Sequence, residues 1–251
     1  MLKRILVGIQ VILVLLVVIG FISKPKFMDV SDWGKTNWDT VPAYTKTYHS
    51  NGELESEGRL LDENRTEWWI EYYETGAKKE EGNYLKGIKT GFWTNYFLNQ
   101  KVKSKGEYRN GKKYGLWKQF YEDGQLELEG YFDYDEKVAW WRRYYPNGNM
   151  QWLGEFQSNQ RQGFWKIFHV TGYVEYEGYY YLGKKNGPWK QLDNRGNTLV
   201  QGEYSGGKKS GFWKYYSTGK IQEEGEYLLD EKVGVWKRYD GDRVEETNWS
   251  R

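Results

Sequence analysis

The sequence predicts an all-β fold: an elongated repeat array of antiparallel β-hairpins, about 8–9 units of ~24 residues, preceded by one N-terminal transmembrane helix. Three observations predict it. A tryptophan returns every 24 residues through most of the chain, with one residue missing in the last full unit. A glycine recurs in the second half of every full unit. The one long apolar run lies at the N-terminus.

The repeat is set by stations at Ala43, Glu67, Gly91, Gly115, Ala139, Gly163, Gly187 and Gly211, with Gly234 opening a truncated ninth unit. Two residues past each station from 67 onward stand Trp69, Trp93, Trp117, Trp141, Trp165, Trp189, Trp213 and Trp236. These eight indoles are the candidate core or partner-binding aromatics. The second-half glycines are Gly58, Gly82, Gly106, Gly130, Gly154, Gly178, Gly202 and Gly225, each followed two residues later by Leu60 or a ring such as Tyr84 or Phe132.

Each unit reads as a hairpin. "FWKQFY"-type stretches are rich in strand formers, and "EDGQ", "PNGN" and "ETGA" are turns in which Gly supplies a positive φ. The second strand alternates. In "QLELEGYF", Leu126, Leu128, Gly130 and Phe132 are expected on one face, and Glu127, Glu129 and Tyr131 on the other. The recurring glycine then lies on the ring-bearing face, where an indole or phenol from an adjacent strand crosses its bare backbone. One hairpin cannot bury such a face, whereas stacked hairpins can. Two strands per unit at about 4.8 Å predict a ladder of roughly 80 Å. The units end in "GKKY", "GKKN", "GKKS" or "DEKV", a second tight turn whose lysines are expected to be solvated.

Domain boundaries follow. Residues 1–22 are a transmembrane anchor, with a cleaved signal peptide as the competing reading. Ile5 to Ile22 is interrupted by Gly8, Gln10 and Gly20 alone. As a helix it spans roughly 27 Å, close to the hydrocarbon thickness. Lys3 and Arg4 precede it, which favours a cytoplasmic N-terminus. Residues 23–42 are a membrane-proximal linker, 43–241 the hairpin repeats, and 242–251 a C-terminal cap or tail.

The composition limits function. The hydrophobic fraction is 38% and the aromatic fraction 19%, so rings must supply much of the buried area. Beyond Lys3 and Arg4 the chain carries 35 basic and 35 acidic side chains, a balance that argues against nucleic acid as a partner. No Cys is present, which excludes disulfides and thiolate metal sites. His49 and His169 occupy the slot held elsewhere by Tyr73, Tyr121 or Tyr145 and read as aromatic substitutions. No catalytic, cofactor-binding or metal-binding residues are assigned: paired acids sit in junction turns, and neither G-x-S-x-G nor a P-loop occurs. The chain is therefore expected not to be an enzyme.

The G-x-W-x-x-Y/F-Y opening, the D/N-G turn, the E-G-x-Y/F second strand and the G-K-K-x-G junction, recurring across 43 to 241, resemble the bacterial MORN-repeat variant family. The resemblance implies stacked β-hairpins and a role in protein association, scaffolding or membrane-proximal organisation. Some bacterial members are labelled antitoxins, which gives an antitoxin-like protein as one alternative. The expected function is a non-enzymatic, membrane-anchored interaction or scaffold module at the cell envelope. It would sit on the bacterial cytoplasmic membrane as a single-pass protein, N-terminus inside, repeats periplasmic or extracellular, with an unidentified protein partner. The other alternative is a cell-wall or glycan binder that stacks sugars or choline on exposed rings.

Overall fold

The computed structural model describes residues 41–250. The anchor expected over 1–22 and nearly all of the linker expected over 23–42 lie outside the described residues. Among the described residues no helix is long and apolar enough to cross a membrane.

Eighteen strands, from β1 (Ala43–Tyr48) to β18 (Arg243–Trp249), form one antiparallel sheet. Each strand pairs with the one before it and the one after it in sequence. The residues past 241, read from the sequence as a cap or tail, supply β18, which pairs with β17 (Glu231–Asp240) and completes a ninth hairpin.

The hairpin of β7 (Lys112–Phe120) and β8 (Leu126–Asp133) shows why the sequence folds this way. Its turn is closed by Tyr121 N–H donating to Gln125 C=O at 2.8 Å and Gly124 N–H donating to Tyr121 C=O at 2.9 Å. The Asp123 carboxylate accepts the Gln125 N–H at 2.9 Å. Gly124 sits at φ +94°, where a side chain is disfavoured. At the junction to β9 (Glu136–Tyr144), Asp135 N–H donates to Lys113 C=O and the Asp135 carboxylate accepts Lys113 N–H at 2.8 Å. Each junction thereby grips the backbone of the preceding one.

Between hairpins the register breaks at the station. Opposite Gly106 on β6 (Val102–Arg109) lie three residues of β7, Gly115 to Trp117, because Glu107 pairs with Tyr114 and Lys105 with Lys118. This bulge re-aims the chain so that Trp117 turns over the neighbouring strand. The station adopts the left-handed region in every unit from 67 onward, including Glu67 at φ +58° and Ala139 at +56°. Within the hairpin a second register shift falls between Gln119 and Phe120.

Candidate functional site

The two faces of the sheet differ in chemistry. All eight tryptophans, Trp69, Trp93, Trp117, Trp141, Trp165, Trp189, Trp213 and Trp236, are buried, with 1–4% exposed. Each lies flat across the second-half glycine of the preceding strand. A Cβ built on Gly130 would stand 2.1 Å from Trp141 Cδ2, and none of the eight glycines leaves more than 2.4 Å. Each indole N–H donates to the carbonyl just past that glycine, from 2.8 Å for Trp189 to 3.2 Å for Trp165. The donor that would be costly to bury is therefore satisfied in every unit. Tyr84, Tyr108, Phe132, Phe156, Tyr180, Tyr204 and Tyr227 alternate with the indoles at 4.9–6.3 Å between centroids, almost all edge to face. Each such pair adds roughly 0.5–1.5 kcal/mol beyond its area.

A cation covers every indole. Arg65, Lys89, Lys113, Lys137, Arg161, Lys185, Lys209 and Lys232, each four or so residues before its tryptophan, hold their charged groups 3.9–4.7 Å from the ring centroid. The second lysine of the GKK junction is thus a lid on the ring, not a solvated side chain. A lysine stem covers apolar surface while its ammonium meets the negative ring face. Burial pushes the Lys113, Lys137 and Lys185 ammonium groups below the usual lysine range. Neighbouring cations push Lys137 and Lys185 in the same direction.

Beside the lids runs a second row, one residue per strand, linked by direct pairing. It begins Ser56, Glu71, Glu80, Asn95, Ser104, Gln119 and continues Leu128, Arg143, Trp152, Ile167, Tyr176, Gln191, Val200, Tyr215 before Glu223. Where the row is acidic the lids are paired: Arg65 with Glu71, Lys89 with Glu80 and Lys232 with Glu223. Where it carries no acid, Lys113, Lys137, Arg161, Lys185 and Lys209 have no ion pair among the described residues. The expectation for Glu127 is corrected here. Its carboxylate accepts from Gln119 and Arg143, each at 2.9 Å, on the ring-bearing side, because the register shift beside Phe120 turns it over.

The opposite face carries an exposed apolar stripe at the residue after each station. Phe92 is 73% exposed, and Trp68, Leu116, Trp140, Phe212 and Val235 are 42–48% exposed. Tyr131 pairs with Leu116, and Tyr179 with Phe164. Next to the stripe, charges cancel across strands: Lys118 with Glu129, Lys166 with Glu177 and Lys214 with Glu224. Tyr144 and Tyr239 hydroxyls also donate to acids of this row. Sheltered in the same way against Glu81, the Tyr96 hydroxyl is pushed up to about 12, first by burial and then by that acceptor.

His49 Nε2 lies 3.1 Å from Tyr72 C=O, the contact that Tyr73, Tyr121 and Tyr145 hydroxyls make with Tyr96, Tyr144 and Phe168. His169 instead stacks on Tyr173 and meets Thr171 Oγ1. Among the described residues no group of three or more His, Cys, Asp or Glu is placed to hold a metal ion.

Residues 113–134 and 214–228 match the family model described as MORN repeat variant. In these two stretches the chain carries MORN repeats of the variant type. The first match runs from the lid Lys113 through Trp117 and Gly130 to the junction, so one MORN unit contains every part of the ladder. No curated protein matches the chain. Among solved structures, the crystal structure of TcdB2-TccC3-TEV is 11% identical over 81% of this chain, at a TM-score of 0.20. The Photorhabdus luminescens Tc holotoxin pore is 10% identical over 80%, at 0.19. This chain spans 12% and 13% of those chains, and scores of that size establish no common fold.

Proposed function

We propose that this MORN-repeat chain is a non-enzymatic interaction module, anchored by its N-terminal apolar segment at the outer side of a bacterial cytoplasmic membrane, that recognises another protein along an extended surface. The observation that carries this reading is the exposed stripe on the face opposite the tryptophans. Apolar side chains left in water in a row support a protein-binding surface. The stripe mixes Leu116, Pro188 and Val235 with rings, which suits apolar side chains of a partner better than a sugar platform. Its contacts would repeat along a stiff array, so affinity would come from many weak sites. The exposure of Trp68, Phe92 and Trp140 favours glycan binding as a second reading.

A pull-down from membranes with the full chain tests this. A discrete partner protein, lost with the pair Phe92→Ser and Trp140→Ser and without change in melting temperature, is the expected outcome. Saturation by a soluble saccharide with quenching of tryptophan fluorescence, or retention on purified peptidoglycan that those substitutions abolish, would put the glycan reading first.

A further inference from the structure

The tryptophan face holds a second feature that the stripe does not explain. Two cavities lie between consecutive lids in the central stretch. One, of about 310 Å³, is lined by Lys103, Lys113 and Lys137 with Leu128 and Phe132. The other, of about 170 Å³, is lined by Lys185 and Lys209 with Tyr176, Val200 and Tyr215. Neither lining contains a carboxylate. The hollows on the opposite face do, at Glu57 and Glu67 and at Glu129. Asp135 and Asp230 stand at the junctions, where they accept the backbone N–H groups of Lys113 and Lys209 without an ion pair to either ammonium, and Glu127 holds Arg143. Glu175 stands beside the Tyr176 hydroxyl. At Lys137 the junction residue is the uncharged Asn159. Arg143 Nε is the one buried side-chain polar atom without a partner among the described residues.

We propose that the central lids, Lys113 to Lys209, form a channel for an extended acidic polypeptide segment carrying a carboxylate at every third residue. The argument is charge and period. Lids one unit apart are separated by two strands, roughly 9.6 Å at 4.8 Å per strand. A polyproline II chain repeats every three residues at 3.1 Å each, about 9.3 Å, so its i and i+3 side chains face the same way at nearly that interval. A β-strand brings same-side residues back at about 6.7 Å and an α-helix at about 5.4 Å, and neither fits. Phosphates of nucleic acid are spaced more finely still, about 3.4 Å along one strand of duplex DNA. The row of Leu128, Trp152, Ile167, Tyr176, Val200 and Tyr215 supplies an apolar floor for the two residues between carboxylates, as aromatic-lined grooves do for proline-rich chains. This surface and the stripe lie on different faces, so either reading can fail alone.

The test uses the full chain in neutral detergent and a fluorescent (Glu-Pro-Pro)6 peptide, read by anisotropy. A peptide of the same composition with its glutamates in one block is the control. Preference for the periodic peptide by about tenfold in Kd is expected, with affinity falling as salt rises. Lys137→Gln with Lys185→Gln should weaken it by about tenfold or more. Lys137→Arg with Lys185→Arg should retain binding, and Lys166→Gln on the other face should leave it unchanged. Circular dichroism of the variants reads the fold, and the salt series on the unmodified chain reads the charge argument independently of any variant. Absence of binding overturns the proposal, and so does equal binding of both peptides. Binding of polyphosphate or of phosphatidylglycerol vesicles in preference to the periodic peptide overturns it too, and assigns the channel to a phosphate ligand.

Discussion

Arg65 and Lys185 occupy the same place in their hairpins, four residues before a buried tryptophan, yet one is ion-paired with Glu71 and the other has no ion pair among the described residues. The ladder beneath them is the same in both regions: glycine under indole, indole N–H on the carbonyl beyond, ring edges on either side. What varies is the neighbouring row, polar and acidic from Ser56 to Gln119 and mostly apolar from Leu128 to Tyr215. The difference teaches that the ladder and the charge balance of its lids are set at separate positions of one repeat. The flanking lids Arg65, Lys89 and Lys232 are ion-paired, whereas the lids from Lys113 to Lys209 have no ion pair among the described residues.

The sharpest way to break this comparison is at the shared element. Gly82→Ala in the flank and Gly130→Ala in the centre each place a Cβ inside the indole above, 2.4 and 2.1 Å from its Cδ2. Both should lose about 3 kcal/mol or more in urea denaturation. A large effect in one region alone would mean that the ladder is not equivalent along the sheet.

Next in size is Glu80→Gln, which strips the acid from the half-buried Lys89. It should cost about 1 kcal/mol and give the flank an affinity for acidic peptides that it otherwise lacks. Retained inertness would show that an unpaired lid is not what attracts anions.

The pH dependence separates the regions further. Lys113, Lys137 and Lys185 titrate lower in the folded chain than their ordinary 10.5, mainly through burial. Between the folded value and 10.5 the unfolded chain binds more protons, so stability rises with pH. Tyr96 and Tyr227 act in the opposite sense. Burial, followed by the Glu81 acceptor in one case and Tyr215 in the other, pushes their hydroxyls up to about 12, so stability falls between about pH 10 and 12. Replacing the three lysines by arginine should remove the rise and keep the fall, as read by urea midpoints across alkaline pH. The smallest effect is expected at Ala139, whose φ of +56° suits glycine. Ala139→Gly should stabilise by about 0.5–1 kcal/mol in the same assay.

The period, the hairpins and the glycine beneath each indole were legible in the sequence, because steric exclusion at Gly130-type positions leaves a mark in every unit. The lids were legible too, though they went unread. The position two residues before each station from Glu67 onward is Lys or Arg in all eight units, whereas the residue ahead of it ranges over Asn64, Ile88, Glu136 and Gln160. An invariant charge beside a variable neighbour marks a cation held against a ring, not a solvated turn. The placement of Glu127 was not legible, because a register shift at Phe120 leaves no signature in alternation. The apolar stripe was half visible: Phe164 beside Trp165 declared two apolar faces, but which one water reaches depends on which ring finds a glycine to lie on.

Every strand pairs with its sequence neighbours, and among the described residues no strand pairing joins β1 to β18. Duplication or loss of one 24-residue module would therefore lengthen or shorten the ladder by one rung without any packing problem to re-solve. The length of the surface such a chain presents is then a number that evolution can count up or down, independent of how tightly each rung is made.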